Sequence, residues 1–406
     1  MRIAILEIAP HGHYTYVESI ALIYTAVPEN EVVIFTNEKG YNALKHLENN
    51  RIQIKKMLFT VEVRNPDSFG KGVENAFNQI VGFDKIYAVT LEAYTKEPFY
   101  LMQAFEKTNF SCPIYYVIHN VDFWFQQSLS DKIRNVFFQL KSFKDFTYHF
   151  KVYFYYAFIN PKIIQKVKSS GGKFVTLTES VGNELAKFVG KEKVEVVPFS
   201  VFDGNVLAKK KENNNPRLRV CLPGFVSSIR RDYASIFQLL ATDKDNFFKD
   251  NIEFDFLGGI SPSEGGEQIR DEANDWISKG YALHIYDKHS VGLEEFDENL
   301  VQADLILGNM HIKQGANAAY GKSKESGLIF TMIKAAKVGL LPRGYTADNA
   351  LKSSVLTFKS YDEIASILKK IIENPEYWAH LQANALKNSE KFRPLSIYNR
   401  LEIETI

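Results

Sequence analysis

The chain has 406 residues, enough for two domains of ordinary size, and its 45% hydrophobic and 24% charged residues are the mix of a globular protein. A formal net charge of +1 argues against a dedicated nucleic-acid binder or an acidic tail, and two cysteines far apart, Cys112 and Cys221, exclude a disulfide framework and a thiolate zinc site. No apolar run approaches the roughly 18 residues of a membrane-spanning helix, and the opening run MRIAILEIAP is too short for a signal-peptide core. A protein of a reduced, cytoplasmic compartment is the expectation.

That opening run reads as a buried first strand, 2–8. Further short β-branched or apolar runs follow at 31–35, 52–56, 85–88, 114–118, 173–176 and 194–198. Helical periodicity lies between them, for example at 16–24 and 180–188. A polar stretch at 203–216, containing KKKENNNP, has no apolar periodicity and reads as a linker. A second strand series occupies 217–222, 253–257, 283–286, 304–307 and 339–342. The chain closes on a helical pair, 375–406, broken near Pro394. Strands alternating with helices imply parallel sheets joined by right-handed crossovers. The fold class is therefore α/β, with doubly wound domains at 1–200 and 204–380 and a terminal helix at 381–406.

One segment departs from the rest. Residues 131–173 hold nine Lys or Arg against two acids, a local net of +7, with eleven Phe or Tyr interleaved. One reading is a lysine-decorated helix pair with its aromatics packed inward. The other is a surface for the inner face of the cell membrane, where lysines meet anionic headgroups at about 1 kcal/mol each and aromatics settle at the interface.

Four loops carry candidate chemistry. His11, Gly12 and His13 follow the first strand, where open α/β sheets bind ligands, and the glycine lets backbone approach one. The strand at 114–118 runs into the polar pair His119–Asn120. In the second half, LPGFVSSIRRDY (222–233) is a strand exit with a glycine turn, Gly224, and two arginines, Arg230 and Arg231, whose guanidinium groups suit a diphosphate. The strand at 253–257 exits through Gly258. The most concentrated polar loop is YGKSKESG (320–327). Lys322 and Lys324 there can neutralise phosphate, and Glu325 can accept from ribose hydroxyls. Its GKS is not a Walker A loop, because position 316, where the first glycine must stand, is Ala316.

Taken in order, these features resemble a GT-B glycosyltransferase, most nearly the large retaining family 4. FVTLTESVGNEL (174–185) resembles the family's last N-domain strand and short helix, and VEVVPFSVF (194–202) its interdomain exit, with Phe199–Ser200 in place of Asn-Gly. LPGFVSSIRRDY resembles the phosphate motif: Gly224 matches the glycine, Arg230 the lysine, and Phe225 replaces the arginine. The segment 360–392 resembles the terminal helices that cross back to the N-domain. The family's paired glutamates lie eight residues apart. Glu325 matches the first, but residues 332–334 hold no carboxylate for the second.

The resemblance implies two Rossmann-like domains facing each other across a cleft. It implies transfer of a sugar from a nucleotide-diphosphate sugar, UDP before GDP, to a glycan or lipid-linked glycan in surface polysaccharide synthesis, with retention and without a metal. His119 and Glu325 fall at the catalytic positions. Gly224, Arg230, Arg231, Gly258, Lys322, Ser326 and Gly327 fall on the donor, and His11, Gly12, His13 and Asn120 on the acceptor. Two alternatives share the architecture: a nucleotide-sugar 2-epimerase, and a silent partner subunit, which the missing glutamate and Phe225 would suit. Nucleic acid is not an expected partner.

Overall fold

The computed structural model describes residues 1–8, 13–57, 66–80, 82–89, 97–107, 112–126, 158–210, 216–314 and 318–403. They form two parallel sheets. The first orders its seven strands β3-β2-β1-β4-β5-β6-β7: Arg2–Glu7 (β1), Glu31–Thr36 (β2), Ile52–Lys56 (β3), Lys85–Val89 (β4), Ile114–Val117 (β5), Phe174–Thr176 (β6) and Val194–Val196 (β7). The second has six, β10-β9-β8-β11-β14-β15: Leu218–Cys221 (β8), Ile252–Phe256 (β9), Ala282–Ile285 (β10), Leu305–Leu307 (β11), Val338–Pro342 (β14) and Val355–Phe358 (β15). Two residues at Lys313–Gln314 (β12) and two at Ala318–Ala319 (β13) pair as a small antiparallel ladder. The chain order reverses at β1/β4 in one sheet and at β8/β11 in the other. Right-handed crossovers on either side of such a reversal put helices on both faces. This is the doubly wound α/β fold, built twice.

The strands form because they are apolar on both sides. In β1, Ile3, Ala4, Ile5 and Leu6 have no exposed surface, as burial under helices on two faces requires. β9 departs from this, with Asp255 fully buried within it; Arg219 from β8 pairs with that carboxylate at 2.6 Å. Three of the helices begin where a side chain takes an orphan N–H. Asn37 accepts from Gly40, Asp232 from Ser235, and Asn374 from Tyr377 with Pro375 just inside the helix. The expected linker holds a short 3-10 helix, Gly204–Lys209, and residues 211–215 lie outside the described residues. β15 and the β12–β13 ladder have no counterpart among the expected strands.

The chain divides into two compact units. The first is Met1–Phe199 with Ser323–Glu325 and Pro394–Ile406; the second is Ser200–Lys322 with Ser326–Arg393. In the first unit the last helix, Pro394–Ile403, buries Ile397 and Leu401. Its Tyr398 ring meets Tyr24 edge-on at 5.9 Å, and Glu402 accepts from the buried Lys85 at 2.9 Å.

Candidate functional site

In the second unit the loops leaving β8, β9 and β11 are bound together. Gly224 N donates to Leu257 O at 2.9 Å and Val226 N to Gly259 O at 2.9 Å. Gly224 has φ +109, and a Cβ there would collide with the Arg231 guanidinium. A Cβ on Gly258 would collide with the Gly224 carbonyl. Gly224 is therefore demanded by its left-handed backbone, and Gly258 by the close approach of the Gly224 main chain.

The two arginines have different environments. Arg230 is 53% exposed in its side chain and donates to Glu264 at 3.0 Å. Arg231 is 8% exposed and lies under Gly224, and its Nη1 donates to Asn309 Oδ1 at 3.2 Å, just past β11. Arg231 also forms an isolated backbone bridge with Met310. Among the described residues no carboxylate pairs with it. A buried cation of this kind at the sheet's reversal point lacks its counter-charge, and an anion bound there would supply one. The arginines precede the helix, which starts at Tyr233 behind the Asp232 cap.

Also in this unit, Lys322 is exposed, Ser326 Oγ accepts from Leu328 N at 3.3 Å, and Gly327 opens the helix Leu328–Ala335 at φ +80. Where the resemblance expects a second glutamate, Met332 and Ile333 are buried in the core and Lys334 pairs with Asp297 at 2.6 Å.

In the first unit the loops after β1 and β5 meet. The His13 and His119 rings stack with centroids 4.3 Å apart and planes 19° apart. Tyr16 presents an edge to His119 at 6.3 Å and stacks on Phe199 at 5.7 Å. Burial pushes His13 down to about 4. Burial, and then the neighbouring His13, hold His119 well below the usual histidine value. Both imidazoles are therefore neutral at pH 7, suited to hydrogen bonding and poor as bases. His13 Nδ1, His119 Nε2, Tyr16 OH and both amide atoms of Asn120 are buried without a partner among the described residues. Each such atom costs about 1–3 kcal/mol unless something binds it.

The strand-end residues also take in Ser323–Glu325. Asn120 and Lys324 form an isolated antiparallel bridge, and Ser323 Oγ donates to Asp122 Oδ2 at 2.6 Å. The first unit thus gathers His13, His119, Asn120 and Glu325, while Gly224, Arg230, Arg231, Gly258, Lys322, Ser326 and Gly327 belong to the second. His11 and Gly12 lie outside the described residues, as does most of the basic aromatic segment; of it, Phe158, the helix Asn160–Ser169 and residues up to Lys173 are described. Asp122, Asn309 and Asp297 had not been singled out in the sequence. Asp122 alone carried a local signal, as the next polar residue after His119–Asn120.

Among the described residues no group of three or more His, Cys, Asp or Glu is placed to hold a metal ion, and no helix is long and apolar enough to cross a membrane.

No family model matches the sequence, and no curated protein is significantly similar to it. Solved structures match along its whole length. A glycosyltransferase from Rickettsia africae superposes with a TM-score of 0.61 at 12% identity, over 100% of this chain and 97% of its own. HepE of Anabaena, solved with UDP and glucose, gives 0.58 at 14%, over 100% and 99%. A UDP-GlcNAc 2-epimerase of Neisseria meningitidis, bound to UDP-GlcNAc, gives 0.54 at 12%, over 100% and 99%. The chain has their fold, the twin-Rossmann GT-B type. Glycosyltransferases and epimerases share it.

Proposed function

We propose that this protein is a glycosyltransferase using a nucleoside-diphosphate sugar, with UDP as the nucleotide. The observation that carries the reading is Arg231, buried at the sheet's reversal point beneath an obligatory glycine and paired with no carboxylate among the described residues. As the donor bond breaks, negative charge builds on the β-phosphate. A buried guanidinium stabilises that charge far better than one in water, and Lys322 adds to it from the surface. The neutral His119 and Asn120 hydrogen-bond sugar hydroxyls, and Glu325 stands beside the reacting carbon. Retention and metal independence follow the family resemblance.

In this reading the first unit takes the acceptor, a glycan or lipid-linked glycan of surface polysaccharide synthesis, through His11, Gly12 and His13. The charge pattern at 131–173 supports a peripheral membrane contact. In its described part, Lys162 and Lys168 are exposed on the helix Asn160–Ser169.

The test is binding and turnover. Nucleoside diphosphates are screened by thermal shift, where a ligand at 100 times its dissociation constant stabilises by about 2.7 kcal/mol. UDP should shift the protein, and Arg231→Met should cut the stabilisation at the same UDP concentration to about a third. No shift with any nucleoside diphosphate would refute the reading. Likeness to the Neisseria meningitidis enzyme favours one competitor, epimerisation. Incubation with UDP-GlcNAc alone separates the two, because epimerisation needs no acceptor.

A further inference from the structure

Two other arginines of the second unit, Arg219 and Arg230, each meet a carboxylate. Arg219 meets Asp255 at 2.6 Å and Glu253 at 3.3 Å, and Arg230 meets Glu264 at 3.0 Å. Arg231 meets an amide instead. Its Nη1 donates to Oδ1 of Asn309, a residue with no exposed surface two positions past β11. The carboxylate nearest in sequence, Asp232, is committed elsewhere: it caps the following helix, accepting from Ser235 N at 3.0 Å and from Ser235 Oγ at 2.7 Å. Main chain holds Asn309 against the arginine. Asp232 N donates to Asn309 O at 2.6 Å, His311 N donates to Arg230 O at 3.2 Å, and Arg231 and Met310 bridge between those two bonds.

We propose that Asn309 is a positioning residue for Arg231, and that its neutrality is what the site uses: an uncharged oxygen fixes the guanidinium and leaves the positive charge for the diphosphate. The proposal rests on the nucleotide-sugar reading above. A side chain as long as arginine loses about 1.5–2 kcal/mol of rotamer freedom when it is fixed, so an anion site gains from an arginine already held in place. Any acceptor at position 309 would hold it. A carboxylate there would hold it more firmly, since a charge-assisted bond is about twice as strong as a neutral one. It would also cancel the field that a diphosphate needs, in a place shielded from water where that field is strongest. Asparagine has the shape of aspartate and the accepting oxygen without the charge. The protein therefore keeps a buried cation short of its counter-charge, a state that costs stability until an anion arrives.

The experiment compares wild type with Asn309→Asp, which keeps the acceptor and adds the charge, and Asn309→Leu, which keeps the approximate volume and removes the acceptor. Titration calorimetry with UDP and with uridine is set beside urea unfolding without ligand. Asn309→Asp should weaken UDP binding about 30-fold, as far as Arg231→Met does, leave uridine binding within about 2-fold, and raise the urea midpoint. Asn309→Leu should weaken UDP binding about 5-fold and lower the midpoint. If Asn309→Leu does not fold, Asn309→Asp decides alone. An Asn309→Asp that binds UDP as wild type does overturns the proposal, because only geometry would then matter. Equal losses for uridine and UDP overturn it as a general distortion, and a lowered midpoint in Asn309→Asp overturns the counter-charge argument. Wild-type protein that binds no nucleoside diphosphate refutes the transferase reading instead. Inorganic pyrophosphate then judges Asn309: no binding by wild type, or equal binding by wild type and Asn309→Asp, overturns its role.

Discussion

Acid should destabilise the first unit through its stacked histidines. His13 titrates near 6.5 when unfolded and is pushed down to about 4 by burial in the folded chain. The unfolded state therefore takes up the proton first as pH falls. The stability His13 contributes is intact above 6.5 and is lost progressively down to about 4. At about 1.4 kcal/mol per unit, the loss between pH 7.5 and pH 5 is about 2 kcal/mol from His13. His119 shifts in the same direction and adds to it. The assay is urea unfolding followed by Trp124, a buried tryptophan of the first unit, in a Trp276→Phe/Trp378→Phe background. Wild type and His13→Gln are compared at pH 7.5, 6.5, 5.5 and 5. Carboxylates common to both proteins cancel in the comparison. His13→Gln should lose about 2 kcal/mol less than wild type over that range; parallel pH profiles would refute the burial argument.

Three further outcomes are expected. Arg231→Met should weaken UDP binding by about 2 kcal/mol, roughly 30-fold, while Arg230→Ala, whose guanidinium is exposed and held by Glu264, should change it less than about 3-fold in the same titration. Gly258→Ala should cost about 1–3 kcal/mol in urea midpoint and remove the UDP thermal shift, because its methyl collides with the Gly224 carbonyl. If 131–173 meets a membrane, the protein should co-sediment with anionic vesicles, less so as salt rises; equal binding to neutral vesicles would remove the electrostatic part.

The sheets were legible because a strand buried on both faces is an unbroken apolar run, and β1, β2, β4 and β5 are such runs. β12 and β13 are two residues each, too short for any periodicity, and β15 is a four-residue stretch directly behind a 3-10 helix, Asn349–Ser354. His119–Asn120 was legible because a polar pair ending an apolar strand is unusual. Arg230 and Arg231 were not separable, since adjacent arginines have the same chemistry and only burial distinguishes them. The bond between Asp122 and Ser323 spans 201 positions, and no local pattern announces a pairing at that distance.

The three-part make-up of the first unit has a consequence for its synthesis. Its sheet is complete once Phe199 has been made, yet the helix that faces Tyr24 and Lys85 arrives about 200 residues later. At about 5–20 residues per second, translation leaves a window of roughly 10–40 seconds. During that window the surface awaiting Ile397 and Leu401 stays open, and Lys85 has no Glu402 to meet. The usual order, in which the N-terminal domain finishes folding before the next begins, is closed to this chain. Its first half must wait, part-covered, for its last helix.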